Sequence, residues 1–162
     1  MNTPFVWIIG NRGMLGQELS RTLEGQGIPV VGSDQEVSIL DVNALRAFAR
    51  ENLSPHSIDT ISHSERHEEK LPGNGSGTSL TAAPRIWIVN CAAYTAVDRA
   101  EDDPDRCFAL NAEGPKNIAR VAEELGAGLL HISTDYVFDG KGIRDESGNL
   151  RPYREEDPVS PV

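Results

Sequence analysis

At 162 residues, with 38% hydrophobic and 25% charged side chains, the chain has the size and composition of one folded domain with its own core. A net charge of -10 argues against a nucleic-acid binder, whose ligand calls for a basic face, yet leaves small anionic ligands open, because a helix N-terminus binds phosphate without charged side chains. No apolar run approaches the roughly 20 residues of a membrane helix, the start Met1-Asn2-Thr3-Pro4 lacks the features of a signal peptide, and two cysteines, Cys91 and Cys107, make no disulfide framework; a cytoplasmic protein is expected.

Phe5 to Ile9 reads as a first strand and Met14 to Glu24 as a helix with Leu15, Leu19 and Leu23 on one face, ended by Gly25 and Gly27. Pro29 to Gly32 is a short second strand. Asp41 to Asn52 is a second helix, with Asp41 as a plausible cap and Leu45, Phe48 and Ala49 as its apolar stripe. Residues 62–84 hold a charged run and then Gly73-Asn74-Gly75-Ser76-Gly77, with little to bury, and are expected to be a mobile insertion. Its sequon Asn74-Gly75-Ser76 is read as unused without a secretory signal. Its His63 and His67 are read as a solvated face, and no metal site is expected. Arg85 to Asn90 is a third strand. Pro104 to Leu125 is a long helix interrupted near Gly114-Pro115, and Leu129 to Ser133 is a buried fourth strand. Alternating strands and helices predict an α/β fold, a Rossmann-like doubly wound parallel sheet.

The first strand runs into Gly10-Asn11-Arg12-Gly13-Met14-Leu15-Gly16 and then a helix. Three glycines spaced in this way permit a tight turn, a close approach of backbone to a pyrophosphate, and close packing of helix on strand. The pyrophosphate would rest on the helix N-terminus near Met14. A glycine-rich structural turn is the alternative. Asp34, after the second strand, stands where an acidic residue reads the adenosine ribose, and Asp41-Val42 is placed near the adenine. Asp34 favours NADH, whereas Arg12 would welcome the 2'-phosphate of NADPH; either cofactor fits. Arg12 as a solvent-facing turn residue, and Asp34 and Asp41 as a turn residue and a helix cap, are the plainer readings.

Ser133-Thr134-Asp135-Tyr136-Val137-Phe138-Asp139-Gly140 follows the fourth strand. A hydroxyl pair and a carboxylate at the carboxyl end of such a strand stand where open α/β sheets place their ligands. Thr134 bonding its own local backbone, and Tyr136 and Phe138 as core, are the alternatives. The acidic residues Asp145-Glu146 and Glu155-Glu156-Asp157 read as solvated loops, and both cysteines as small buried residues.

Together with Gly10, Gly13 and Gly16, the blocks Asn90-Cys91-Ala92-Ala93-Tyr94-Thr95-Ala96-Val97-Asp98, Asn111 and Ser133 to Gly140 resemble the dTDP-4-dehydrorhamnose reductase family of extended short-chain dehydrogenases. The resemblance covers nearly the whole chain outside residues 62–84. It implies hydride transfer from NADPH or NADH to the C4 ketone of dTDP-4-dehydro-L-rhamnose. It implies that Cys91, Ala92, Ala93 and Tyr94 lie along the nicotinamide side of the cofactor. Thr134 would polarise the substrate's keto group, while Thr95, Val97, Ser133, Asp135 and Tyr136 would line the dTDP-sugar site. Asn90 and Asn111 are read as hydrogen-bonding residues that are either structural or adjacent to catalysis.

The family completes its site with Tyr-x3-Lys, whose lysine lowers the tyrosine's pKa so that it delivers a proton near neutral pH. Four residues after Tyr94, Tyr136 and Tyr153 stand Asp98, Gly140 and Asp157, so the motif is missing from this sequence. The expectation is a cofactor-binding N-terminal part, 1–162, without a substrate lobe and inactive alone. A nonenzymatic NAD(P)-binding subunit and a truncated fragment are the alternatives, and related 4-keto-sugar reductases and epimerases remain open for the substrate. An apolar edge at Leu129 to Ser133 predicts self-association, as a homodimer or otherwise.

Overall fold

A computed structural model describes residues 3–53 and 85–161; the segment read as an insertion, with His63, His67 and the sequon, lies outside the described residues. The described chain divides into one compact unit ending at His131 and a second running Ile132–Val162.

The first unit is built on β1 (Phe5–Ile9), which is apolar along its whole length because both of its faces are covered. It pairs in parallel with β2 (Val30–Ser33) on one side and β3 (Ile86–Asn90) on the other, and β4 (Gly128–His131) pairs in parallel with β3, giving the order β2-β1-β3-β4. Trp7, Ile9, Ile86 and Ile88 turn to one face of the sheet. There they meet Leu45 and Ala49 of α2 (Val42–Asn52) and Ile118, Val121 and Ala122 from further along the chain. Val6, Ile8 and Val89 turn to the other face, against Leu19 and Leu23 of α1 (Met14–Gly25). Helices on both faces of a parallel sheet make this the expected α/β, Rossmann-like doubly wound arrangement. Trp7 is fully buried, stacks on Phe48 at 5.0 Å between ring centroids, and donates its indole N–H to Ser33 Oγ at 2.9 Å. The one polar atom of the largest core side chain is thereby satisfied.

The structure adds one element, gives the expected helix break its form, and corrects the fourth strand. A short helix, α3 (Val97–Ala100), precedes α4 (Pro104–Phe108). The helix break near Gly114-Pro115 takes the form of a π-helical turn over Ala109–Glu113, after which α5 (Gly114–Leu125) begins. Pro115 has no N–H to give the carbonyl of Asn111, and its ring would crowd that carbonyl. The chain widens instead, and the Gly114 N–H reaches Ala109 O, five residues back. Finally, β4 is not a buried strand. It pairs with β3 alone among the described residues, and Leu130 on it is 49% exposed.

In the second unit, a 3-10 turn (Asp135–Val137) precedes a small antiparallel hairpin of β5 (Ile143–Arg144) and β6 (Leu150–Arg151). Phe138 stacks on Tyr153 at 4.1 Å, and the Tyr153 hydroxyl donates to Asp139 Oδ1 at 3.1 Å while accepting from the Gly142 N–H at 2.8 Å. Asp145, Glu146, Glu155 and Glu156 are exposed, as expected of solvated loops, while Asp157 is half-buried. Asp145 Oδ1 accepts from the N–H groups of Ser147 and Asn149, closing the hairpin turn, and Asp157 receives two bonds from Arg151, both at 2.7 Å.

Candidate functional site

In the doubly wound sheet the winding reverses between β1 and β3, and the crevice at the carboxyl ends of those strands is where such sheets take their ligands. The glycine turn occupies this place. Gly10 has φ of +80°, and a Cβ there would stand 2.7 Å from the backbone N of Ala92, so the turn is seated against the end of β3. The N–H groups of Gly10 and Asn11 both donate to Ser33 O, at 2.7 and 3.1 Å, which ties the turn to β2 as well. A Cβ on Gly16 would lie 2.3 Å from Gly10 O, so only glycine lets α1 approach the turn this closely. Gly13 is different: a Cβ there would meet only Gly10 O, at 3.4 Å, leaving its outer side open.

The N-terminus of α1 has no side-chain cap and no acidic residue in its first turn, and Met14 is 95% exposed. Its first-turn N–H groups and the positive end of its dipole are therefore presented to an anion. These features fit the pyrophosphate of a dinucleotide. Asn11 lies over Gly32 with its Oδ1 buried and without a donor among the described residues.

At the end of β2, Asp34 Oδ2 accepts from the Arg12 N–H at 3.1 Å and Oδ1 from the Gln35 N–H at 2.9 Å. Glu36, a residue the sequence reading passed over, accepts from the Asp34 N–H at 2.8 Å and pairs with the Arg12 guanidinium at 3.2 Å. Its carboxyl is held below the usual range chiefly by its own backbone N–H and that of Asp34. The signal that could have found it is its place two residues beyond Asp34. Asp41, by contrast, is committed to its helix: Oδ1 accepts from the Asn43 N–H at 2.9 Å and the Ala44 N–H at 3.2 Å, and Val42 is the first residue of α2.

The end of β3 is fixed by Asn90, which is buried. Its Oδ1 accepts from the Ala92 N–H at 3.0 Å and its amide nitrogen lies 3.0 Å from His131 Nδ1, so the amide spans from β3 to β4. Cys91 is half-buried, and burial pushes its thiol pKa up. The backbone of Tyr94 is clamped by Asn111 of the π-helical turn, whose Oδ1 accepts from the Tyr94 N–H at 2.7 Å and whose amide donates to Tyr94 O at 3.1 Å. π-Helical turns recur at functional sites. Ala93, Thr95 and Val97, on either side of this clamp, are exposed.

In the second unit, Thr134 Oγ1 accepts from the Tyr136 N–H at 3.2 Å, capping the 3-10 turn, and its hydroxyl faces Asp135 Oδ1 at 3.4 Å. Ser133, Thr134, Asp135 and Tyr136 are all exposed, so Tyr136 is not core; Phe138, on Tyr153, is half-buried. Within the first unit, the structure brings together the glycine turn, Arg12, Asp34 and Ala92. It leaves Asp41 on its own helix.

The chain is 47% identical to the dTDP-4-dehydrorhamnose reductase of Salmonella typhimurium over 97% of its own length and 41% of the relative's. It is 34% identical to the enzyme of that name from Streptomyces griseus, over 96% of the chain and 39% of the relative. Its fold matches the crystal structure of dTDP-4-dehydrorhamnose reductase from Bacillus anthracis in complex with NADP, with a TM-score of 0.68, 28% identity, and coverage of 99% of this chain and 44% of that one. The chain thus spans about two fifths of the length of the curated relatives it matches. A family model described as the RmlD substrate binding domain matches residues 5–162, and with relatives this similar along its length, the chain belongs to that family.

Proposed function

We propose that this chain is the dinucleotide-binding part of a reductase that converts dTDP-4-dehydro-L-rhamnose to dTDP-L-rhamnose with NADPH or NADH. The observation that carries the reading is the glycine turn seated on Ala92 at the reversal of the sheet, beside an uncapped helix N-terminus. When bound, the nicotinamide cofactor supplies the hydride. The chain's own residues do the holding. Gly13 leaves room for the pyrophosphate, the first turn of α1 faces it, and Asp34 presents an acceptor for ribose hydroxyls. Asn90 and Asn111 fix the backbone from Cys91 to Tyr94, along which the nicotinamide would lie.

Carbonyl reduction places negative charge on oxygen, and a hydroxyl donor aimed at that oxygen stabilises the transition state. Thr134 is assigned that role on its match to the family. A threonine hydroxyl is too weak an acid to complete the protonation, and no Tyr-x3-Lys stands in this sequence. The chain is therefore proposed to bind the cofactor and to leave the ketone unreduced by itself. Calorimetric titration with NADPH and NADH, followed by a nucleotide-oxidation assay with dTDP-4-dehydro-L-rhamnose, tests both halves. Binding without turnover is expected. No binding would remove the reading, and rapid turnover would remove its second half.

A further inference from the structure

We infer that Glu36 sets the choice of cofactor by occupying Arg12 and repelling a 2'-phosphate, so that the chain binds NADH in preference to NADPH. The inference rests on the cofactor reading above and adds to it a residue and a direction. Three charged side chains meet beyond β2: Asp34 and Glu36 against Arg12. Both carboxylates are anchored by backbone, Asp34 by the N–H groups of Arg12 and Gln35, Glu36 by the N–H of Asp34. The guanidinium has no such anchor. It is 70% exposed and is held by Glu36 Oε2 at 3.2 Å.

The fixed charge at the ribose end is therefore negative, and the cation is the movable partner. A ribose diol approaches as a donor and finds acceptors in place. A 2'-phosphate brings about two further negative charges to a cluster that already carries two carboxylates and one guanidinium. To meet it, Arg12 would have to leave Glu36, and Glu36 would stay ionised beside it, since backbone N–H groups lower its pKa. An exposed ion pair of this kind is weak, so the discrimination comes less from the pair than from the two carboxylates that cannot withdraw.

The test is calorimetric titration of the chain and of two variants with NADH and with NADPH at low ionic strength. The unchanged chain should bind NADH about tenfold more tightly than NADPH, the scale of one uncompensated charge near a surface. Glu36→Gln keeps an acceptor for the Asp34 N–H but frees Arg12, and should tighten NADPH while changing NADH by less than about twofold, closing most of the gap. Arg12→Ala should widen the gap. Equal or tighter binding of NADPH by the unchanged chain, or a ratio unmoved in Glu36→Gln, overturns the inference and leaves the cofactor reading standing. If neither nucleotide binds, the cofactor reading falls and takes the inference with it.

Discussion

Gly16 and Gly25 sit at opposite ends of the same helix and predict opposite responses to one methyl group. A Cβ on Gly16 would strike the Gly10 carbonyl and the Asn11 Cα, at 2.3 and 2.7 Å, both backbone atoms that cannot swing away. Gly16→Ala should destabilise the chain by about 1–3 kcal/mol through forced backbone shifts and weaken NAD(P)H binding at least tenfold. A Cβ on Gly25 would meet nothing within 4 Å, so Gly25→Ala should stabilise by about 0.4–1 kcal/mol. Denaturant melts of the pair, with nucleotide titration of Gly16→Ala, check both. Asn90→Ala should cost about 1–3 kcal/mol, because it removes a buried side chain and strips the half-buried Ala92 N–H of its acceptor; an unchanged denaturation midpoint would count against that. At this scale the glycine spacing and Asp34 were legible because backbone conformation and chain position dictate them. Glu36 was not, since nothing in a lone glutamate foretells that it will turn back to Asp34's N–H. Asp41 carried both a cap and a ligand signature, and Oδ1 of its carboxylate caps the helix.

Elements were legible in proportion to how much of their pattern is local. β1, α1 and α2 follow directly from an apolar run, a leucine face and a capping aspartate. Burial of the fourth strand was misread because an apolar sequence shows suitability for a sheet, not whether a neighbour covers it. Among the acidic residues of the loops, only the partial burial of Asp157 was not legible, because pairing depends on a partner several residues away. Arg151 finds Asp157 six positions on and leaves its carboxylate only 11% exposed. This pair supports the second unit in a pH-dependent way. Hydrogen bonds from the Arg151 guanidinium, then the Arg154 N–H, lower the Asp157 pKa from 3.8 to about 2. Because the folded value is the lower, the contribution is complete above about 4 and is lost as pH falls toward 2. Carboxyl NMR should place the Asp157 midpoint near 2, and Arg151→Gln should move it up toward 3.8. An Arg151→Gln titration that overlays the parent would refute the assignment.

For the molecule as a whole, sheet order matters more than charge. A net charge of -10 disfavours association between copies, yet among the described residues β4 has no strand partner on one side, and Leu130 stands half out of the core. Edge pairing is the stronger pull at short range. Sedimentation velocity should show association growing with protein concentration and with salt, which screens the repulsion. Leu130→Lys should reverse it. A single compact species at every concentration would show that the edge is protected.

The wide turn over Ala109–Glu113 also makes this stretch sensitive to length rather than to chemistry. It accommodates one residue more than an ordinary helical turn would. Deleting Ala112 would remove the residue that the wide turn accommodates, while Pro115 would still have no N–H to close an ordinary turn, so Asn111 would shift its place on the helix relative to α5. Asn111 would then face away from Tyr94, although every functional group of the clamp survived. Substitutions at exposed positions of this turn should be tolerated where the loss of a single codon is not. The segment holds the Tyr94 loop by counting residues.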